Sequence, residues 1–341
     1  MNHIGTREIE TGRLMLRRIE ISDAEEMFAC WASDAEVTRF LRWTPHDSVQ
    51  QTRNIITEWF NRYESPSTYH WGLTLKDGGA LIGSIGAFNI NEGDMKCELG
   101  YCCGRKFWGS GYMSEAARAV VHYMLFDVGI ARVEAYHSTQ NPASGGVMRN
   151  AGMKCEGRCR QFYRNATGVH DVFLYGAVRD DMYQPSAEFA FLDTEGMTDG
   201  TVSLKCVEKA PADPARGRVP AYEFEIIAEN TVVGDIGLRV GMSDSLYYGG
   251  QIGYNIIEEF RGRGYAARAC ALLAPLAERH GFEKVLITNE ARNLASRRVC
   301  EKLGAKLIRI APLPEWHEMN GETRFPGPRR ECIWEYNVTV Q

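Results

Sequence analysis

The sequence predicts an α/β (α+β) protein made of two copies of one unit, and three observations predict it. The first is a repeated phrase: "WGSGYMSEA" (108–116) and "RGRGYAARA" (261–269) each place two glycines one residue apart, then tyrosine, then a helix-forming stretch, with Gly109 and Gly111 offset by 153 from Gly262 and Gly264. The second is that the offset persists on both sides. "ELGYCC" (98–103) matches "QIGYNI" (251–256) at 153, "LIGSIG" (81–86) matches "VVGDIG" (232–237) at 151, and "NPAS" (141–144) and "NAG" (150–152) match "NLAS" (293–296) and "KLG" (302–304) at 152. The third is length, since 341 residues is two domains at roughly 150 residues each, and the period is far too long for a solenoid. The chain reads as a tandem duplication with units at 1–184 and 185–341. The boundary falls near Pro185, where "RDDMYQPSAEFAFLDTEGMTDG" (179–200) loses periodicity and gathers Asp, Pro, Gly and Ser.

The elements follow in order. "RLMLRRI" (13–19) alternates as a half-buried strand does, and "SDAEEMFACWAS" (22–33) opens a helix with Ser22 as N-cap and Glu25 completing a capping box. A second helix is expected over about 47–63. "YHWGLTLKDGGALIGSIGAFNI" (69–90) reads as a hairpin turning at Asp77-Gly78-Gly79, and "KCELGYCC" (96–103) as a further strand. After the glycine phrase comes a helix from about 113 to 128, with Val120, Val121, Met124, Leu125 and Val128 on one face and Gly129 as its stop. "ARVEAYHS" (131–138) is a strand, "NPASGGVMRNAG" (141–152) a short helix and "VHDVFLYGAV" (169–178) the final strand. The second half repeats this from "YEFEIIAENTVVGDIGLRV" (222–240) to a helix at 293–303 and a strand at 331–338. It has only the Pro- and Gly-rich stretch from Thr201 to Pro220 where the first half has 56 residues from Leu14 to Tyr69, so the paired helices are expected to be missing there.

Composition narrows function. The chain is 44% hydrophobic and 24% charged with net charge −5, so it lacks the basic surplus that favours nucleic acid or an anionic membrane. No apolar run approaches the ~20 residues of a membrane span and the start "MNHIGTREIE" is polar, which predicts a cytoplasmic protein, monomeric or a homodimer. The ten cysteines are scattered, and Cys155 and Cys159 have no CxxC partner, so buried free thiols are expected rather than zinc or disulfides, and no metal site.

Glycines between a strand and a helix leave backbone N–H groups unobstructed at a helix N-terminus, a site for phosphate. A Walker P-loop would need Gly-Lys-Ser/Thr, and neither copy has it. "GRGYAA" (262–267) fits a dinucleotide fingerprint, with Glu290 further on, but a hairpin and another strand precede it and "GSGYMS" breaks the third position. Glycines used only for a tight turn would explain one copy and not the shared context.

Hairpin, strand, R-G-R-G-Y-A, helix, strand and N-x-x-S together resemble the GNAT superfamily of acetyl-coenzyme A-dependent N-acetyltransferases, whose pyrophosphate motif is Q/R-x-x-G-x-G/A. The first half, "FWGSGYMSEA" with "NPAS" and "GMKCEG", is similar to the ribosomal-protein-alanine acetyltransferase branch, where Trp replaces the leading Gln/Arg. The resemblance implies two domains, each a mixed, mainly antiparallel sheet of about six strands flanked by helices, using acetyl-coenzyme A. It implies phosphate contacts from Trp108, Gly109, Ser110, Gly111, Tyr112 and Met113, and from Arg261, Gly262, Arg263, Gly264, Tyr265 and Ala266. Met113 departs from Gly/Ala and leaves less room. It also implies backbone contacts from the splayed strand at Tyr101, Cys102 and Cys103, with Tyr254 and Ile256 in the second copy, and cofactor contact at the helix-opening Asn141 and Asn293.

Acetyl transfer to an amine needs a base, because an amine with pKa near ~10 is protonated at neutral pH, donors for the oxyanion, and an acid for the departing thiolate. Glu98, opening the splayed strand, is the candidate base, or else a solvent-facing strand residue. Gln251 at the matching place cannot take a proton. The family's acid tyrosine, seven residues after the Asn, is Met148 and Cys300 here, so the resemblance points to Ser144 and Ser296, although first-turn serines after an Asn N-cap are ordinary. Gly145 and Gly146 weaken their helix and are candidates for close cofactor approach. Trp31, Trp43, Trp59 and Trp71 crowd the region that walls the acceptor in the family, and core packing explains them equally well. The reading is an N-acetyltransferase acting on a small-molecule or peptide amine. A non-catalytic acyl-coenzyme A sensor is the alternative that Gln251 and the missing tyrosines favour.

Overall fold

In the computed structural model, which describes residues 1–320, 325 and 327–339, the chain separates into Met1–Met182 and Tyr183–Gln341, against an expected boundary after residue 184. The first unit runs β1 (Ile9–Glu10), β2 (Leu14–Arg17), α1 (Ala24–Met27), α2 (Ala35–Thr38), α3 (Val49–Arg62), β3 (Tyr69–Leu75), β4 (Leu81–Asn91), β5 (Lys96–Cys103), α4 (Tyr112–His122), β6 (Arg132–Ser138), α5 (Pro142–Asn150), β7 (Lys154–Asn165) and β8 (Gly168–Val178). Its strands lie in the order β7-β8-β6-β5-β4-β3-β2-β1. All neighbours are antiparallel except β5 and β6.

The alternation of "LMLR" sets Leu14 and Leu16 in the core and leaves Met15 and Arg17 half-exposed. Gly78 and Gly79 take φ of +78° and +70° to turn the β3–β4 hairpin. The helix after the glycine phrase continues beyond His122 as a wider π-helical turn to Val128 and stops at Gly129, φ +77°. The first helix is capped differently from expectation. Glu20 and Asp23 form the capping box; Ser22 Oγ reaches only the Glu20 carboxylate, at 3.4 Å, and Glu25 pairs with Arg53. Trp31 and Trp71 are fully buried, and Trp43 and Trp59 pack against the α1–α3 cluster with Met27 and Ile56, so the four tryptophans belong to the core.

The second unit comprises β9 (Ser203–Ala210), β10 (Ala221–Ala228), β11 (Thr231–Arg239), α6 (Asp244–Gly249), β12 (Ile252–Ile256), α7 (Tyr265–Arg279), β13 (Lys284–Glu290), α8 (Leu294–Lys302), β14 (Lys306–Pro312) and β15 (Arg330–Asn337). Their order is β14-β15-β13-β12-β11-β10-β9, which repeats β7-β8-β6-β5-β4-β3-β2, and again a single neighbouring pair, β12 and β13, is parallel. Within this unit no α-helix of the described residues precedes β10; a strand, β9, runs through the Pro- and Gly-rich stretch Thr201–Pro220. Between β11 and β12 lies α6, which has no counterpart in the first unit. The core is built on Tyr222, Phe224, Ile226, Ile236 and Leu238 of the sheet under Ala269, Cys270, Leu273 and Ala277 of α7. Each such large apolar side chain contributes about 1.5–3 kcal/mol by leaving water.

All ten cysteines are free; Cys97, Cys103, Cys270, Cys300 and Cys332 are buried, whereas Cys155 is exposed. No described helix is long and apolar enough to cross a membrane.

Candidate functional site

In the first unit β5 and β6 pair only at Lys96–Arg132, Cys97–Val133 and Glu98–Glu134, although β5 continues to Cys103 and β6 to Ser138. Beyond Glu98 the two strands diverge. Along an antiparallel ladder successive residues face opposite neighbours, and Gly104 donates its N–H to Ile82 of β4 at 2.9 Å, so Cys102 faces β4 as well. That leaves the N–H groups of Tyr101 and Cys103 turned into the divergence. The second unit diverges at Ile252, its one paired position with β13. Ile257 donates to Val233 of β11 at 2.9 Å, which turns Tyr254 and Ile256 inward in the same way.

Each divergence opens onto a glycine phrase. Gly109 and Gly111 have φ of +74° and +79°, Gly262 and Gly264 of +82° and +84°, left-handed values strained for other residues. Gly111 and Gly264 are the N-caps of α4 and α7, with no side chain capping the first-turn N–H groups. The leading residues do one job with different chemistry: Trp108 Nε1 donates to Cys103 O at 2.9 Å and Arg261 Nε to Ile256 O at 3.0 Å. Both fasten the phrase to the end of its strand, which is why indole and guanidinium interchange there.

A cavity of about 530 Å³ occupies the first unit's divergence. Glu98, Tyr101, Cys102, Cys103, Trp108, Gly109, Gly111, Met113, Asn141 and Ser144 all line it. Ser110 and Tyr112 do not. The Ser110 carbonyl accepts from Arg13 at 2.9 Å, and the Tyr112 ring lies 4.4 Å beneath the same guanidinium. None of those four tryptophans lines the cavity; its far wall is Glu36, Val37, Arg39, Phe40, Leu41 and Arg42 with Tyr136 and Tyr163, residues that sequence reasoning did not single out. Tyr163 comes from β7, and Arg42 donates from Nε and Nη2 to Tyr136 Oη at 3.0 and 2.9 Å. Glu98, half-buried, accepts from Asn89 Nδ2 at 3.2 Å. Burial raises the Tyr136 phenol above its usual pKa, Arg42 opposes this, and the Glu98 carboxylate nearby pushes it further up.

Across the mouth of the divergence Tyr101 Oη lies 2.9 Å from Ser144 Oγ and 3.0 Å from Ser144 O. The second unit repeats the contact, with Tyr254 Oη 2.7 Å from Ser296 Oγ. Burial raises both phenols far above the ordinary range, so both remain protonated donors. Asn141 and Asn293 cap α5 and α8, accepting from Ser144 N at 3.5 Å and Ser296 N at 3.1 Å. Met148 and Cys300 are buried. Gly145 makes room for protein, not cofactor: a Cβ there would sit 2.4 Å from His137 Nε2, whereas Gly146 lines the cavity.

A family profile for the acetyltransferase (GNAT) domain matches residues 13–154 and again 193–306. The chain belongs to the GNAT acetyltransferases. Its relatives include the uncharacterized N-acetyltransferase YoaA of Bacillus subtilis (strain 168), 34% identical over 172 residues, which are 50% of this chain and 96% of that protein. The ribosomal protein uS5-alanine N-acetyltransferase of Escherichia coli (strain K12) is 29% identical over 164 residues, 45% of this chain and 81% of its own. Among solved structures, a GNAT-family acetyltransferase from Bacillus anthracis covers 50% of this chain and 98% of its own, at 24% identity and a TM-score of 0.45.

GNAT enzymes take their acetyl group from acetyl-coenzyme A, and the first unit's donor set fits that molecule. Uncapped N–H groups at the start of α4 suit a pyrophosphate, and a Cβ on Gly109 would meet nothing within 4 Å. Met113, almost wholly buried, narrows the loop from inside.

The second GNAT unit keeps the loop and has Gln251 where the first has Glu98. Gln251 is fully buried; its Nε2 donates to Tyr183 O at 3.0 Å and Gly241 O at 2.8 Å, and its Oε1 accepts from Leu286 N at 2.9 Å. It is a structural clamp with every hydrogen-bonding group used. The charge of Arg263, one of the expected phosphate contacts, is offset. Glu229, at the tip of the β10–β11 hairpin, pairs with Arg263 Nη1 at 3.0 Å and accepts from Tyr265 Oη at 2.5 Å.

Proposed function

We propose that the first unit transfers the acetyl group of acetyl-coenzyme A to a primary amine by direct attack, and that the second unit binds coenzyme A without a base of its own. The observation that carries this is the cavity of about 530 Å³ in which Glu98, the inward N–H groups of the splayed strand, Ser144 and the open α4 N-terminus meet. Bound there, acetyl-coenzyme A supplies the acetyl group as an activated thioester. Glu98 takes a proton from the acceptor ammonium and frees the lone pair. The N–H groups of Tyr101 and Cys103 stabilise the negative charge that gathers on the acyl oxygen while the N–C bond forms and the C–S bond breaks. Ser144 gives its hydroxyl proton to the departing sulfur and is reprotonated from solvent as the attacking nitrogen sheds its second proton to water; Tyr101, which stays protonated, is bonded to that hydroxyl at 2.9 Å and holds it in place. Phosphate contact falls to Gly109, Gly111 and the first turn of α4, and in the second unit to Gly262, Gly264 and the first turn of α7. Asn141 and Asn293 order the serines by capping.

For the second unit the binding-only reading is favoured by the locked amide of Gln251. Thiol release against a panel of amines tests both assignments. Glu98→Gln should lower amine-dependent turnover by about 10²–10⁴-fold with coenzyme A affinity retained. Gly264→Glu should remove one cofactor site of two with little loss of turnover. If Gly264→Glu abolishes activity while Glu98→Gln is silent, the roles are reversed. Cofactor binding without turnover of any amine makes the whole chain a sensor.

A further inference from the structure

The wall opposite Glu98 carries a cation that the fold does not neutralise. Arg42 lines the cavity, and its hydrogen bonds among the described residues go to one phenol: Nε and Nη2 both donate to Tyr136 Oη, at 3.0 and 2.9 Å. Its guanidinium carbon stands 5.4 Å from the Tyr163 ring centroid. These contacts fix the plane of the guanidinium while leaving Nη1 and one Nη2 hydrogen unspent. The other cation on this wall, Arg39, has Glu36 at 3.8 Å; no described carboxylate pairs with Arg42.

Resting on the reading of the first unit as the transferase, we propose that Arg42 selects a zwitterionic acceptor, an α-amino acid whose ammonium meets Glu98 and whose carboxylate meets the free edge of Arg42. Glu98, Arg42 and Tyr136 line the one cavity, and Arg42 is held by the Tyr136 phenol. A carboxylate and a held guanidinium on one small cavity suit an acceptor that carries both an amine and a carboxylate. The wall also offers Val37, Phe40 and Leu41 beside the Arg39–Glu36 pair, apolar surface that suits an aliphatic or aromatic side chain. The same arrangement disfavours the other amines. A polyamine or aminoglycoside would bring further cations to Arg42, and a protein N-terminus would offer a neutral peptide carbonyl where the carboxylate belongs.

The experiment compares leucine, methionine and phenylalanine with their α-amides, as acceptors and as ligands of the coenzyme A-loaded full chain by calorimetry. An α-amide has the less basic amine and starts with more free base at neutral pH, so a preference for the acid cannot arise from basicity. Wild type should favour the acids by about tenfold or more in kcat/KM and in binding, the order of one charge-assisted bidentate contact. Arg42→Gln should collapse that ratio toward one through KM, and Arg42→Lys should restore part of it. Equal use of acid and amide by wild type, or an equal loss for both in Arg42→Gln, overturns the proposal and leaves Arg42 a support for Tyr136. Should no amine be acetylated, the transferase reading fails, and the binding ratio still decides for or against Arg42.

Discussion

Tyr101 with Ser144 and Tyr254 with Ser296 make the same contact in the two units, at 2.9 and 2.7 Å, while Glu98 in β5 and Gln251, the matching residue just before β12, do opposite things. Glu98 is half-exposed on a cavity with one bond from Asn89; Gln251 is sealed and spends every donor and acceptor on backbone. The loops differ in the same sense. Arg13 reaches over the first from the strand side, whereas in the second a hairpin carboxylate, Glu229, occupies both Arg263 and Tyr265. The frame of the glycine phrase tolerates exchange of chemistry at its fastenings, as Trp108 and Arg261 demonstrate. The position of Glu98 on the cavity is in the other unit a structural one, filled by Gln251.

The sharpest way to break this comparison is to put the carboxylate back. Gln251→Glu should give no new turnover and should destabilise the second unit by about 3 kcal/mol or more, because the carboxylate would face the carbonyls of Tyr183 and Gly241 with no donor of its own. Amide hydrogen exchange resolved by unit would read the loss. A stable variant that acetylates amines would show that Gln251 is merely a lost base.

Acid should separate the units next. Burial, with Arg62 adding to it, holds His70 of the first unit at about 4, against roughly 6.5 in the unfolded chain. Between those values the unfolded state binds the extra proton, so stability is full above pH 6.5 and declines as the pH falls to 4, by about 3 kcal/mol in total. His46 is lowered by burial and works the same way. In the second unit His280 is likewise lowered by burial, but burial raises Glu223 and Glu331. Those carboxylates bind protons more readily when folded and regain stability as pH falls through their raised values. Opening free energies from hydrogen exchange at pH 7, 5 and 4, corrected for the intrinsic exchange rate at each pH, should therefore fall more in the first unit, and His70→Gln should flatten that fall. An equal fall in both units, or no change with His70→Gln, would remove the histidine from the account.

The sequence made the repeat, the hairpins, the glycine turns and both main helices legible because each has a local cause: alternation, a positive-φ turn or an apolar helical face. Two strands in equivalent places, β7 and β14, were missed. "KCEGRCRQFYRN" puts Lys154, Glu156, Arg158, Arg160 and Arg164 on alternate positions, but it is exposed at most positions and has few large apolar residues between them, so no buried face marks it, and it becomes a strand because β8 offers it an edge; β14, "KLIRIAP", is largely buried and has no such reason. At the site, the residues on the phrase and the splayed strand could be named from the motif, since their geometry is backbone geometry. The acceptor wall could not. Val37 to Arg42 is a short helix and turn without periodicity, and Tyr136 and Tyr163 meet it only through the sheet order. The tryptophans, the loudest signal in that region, are loud because they are core.

The smallest expected effect sharpens the comparison most finely. Each unit ties the entry to its first long strand to the helix after the glycines by an ion pair, with the signs exchanged: Arg13 on the strand side with Glu115 on α4 at 2.7 Å, and Asp199 on the strand side with Arg268 on α7 at 2.7 Å. Both arginines are about half-exposed, at 48%, so the pairing alone contributes no more than about 0.5–1 kcal/mol. The carboxylates do more. Glu115 also accepts from Arg13 N at 2.8 Å and Thr11 Oγ1 at 2.7 Å, and Asp199 accepts from Thr201 N at 2.9 Å and Val202 N at 2.8 Å. In both units the anion organises the turn and the cation only covers it. Glu115→Gln and Asp199→Asn should therefore each cost about 1–2 kcal/mol by urea denaturation, against about 0.5 kcal/mol for Arg13→Gln or Arg268→Gln. If the arginine variants cost as much as the carboxylate ones in either unit, the pair itself holds the strand to the helix there, and the exchange of signs would carry no asymmetry.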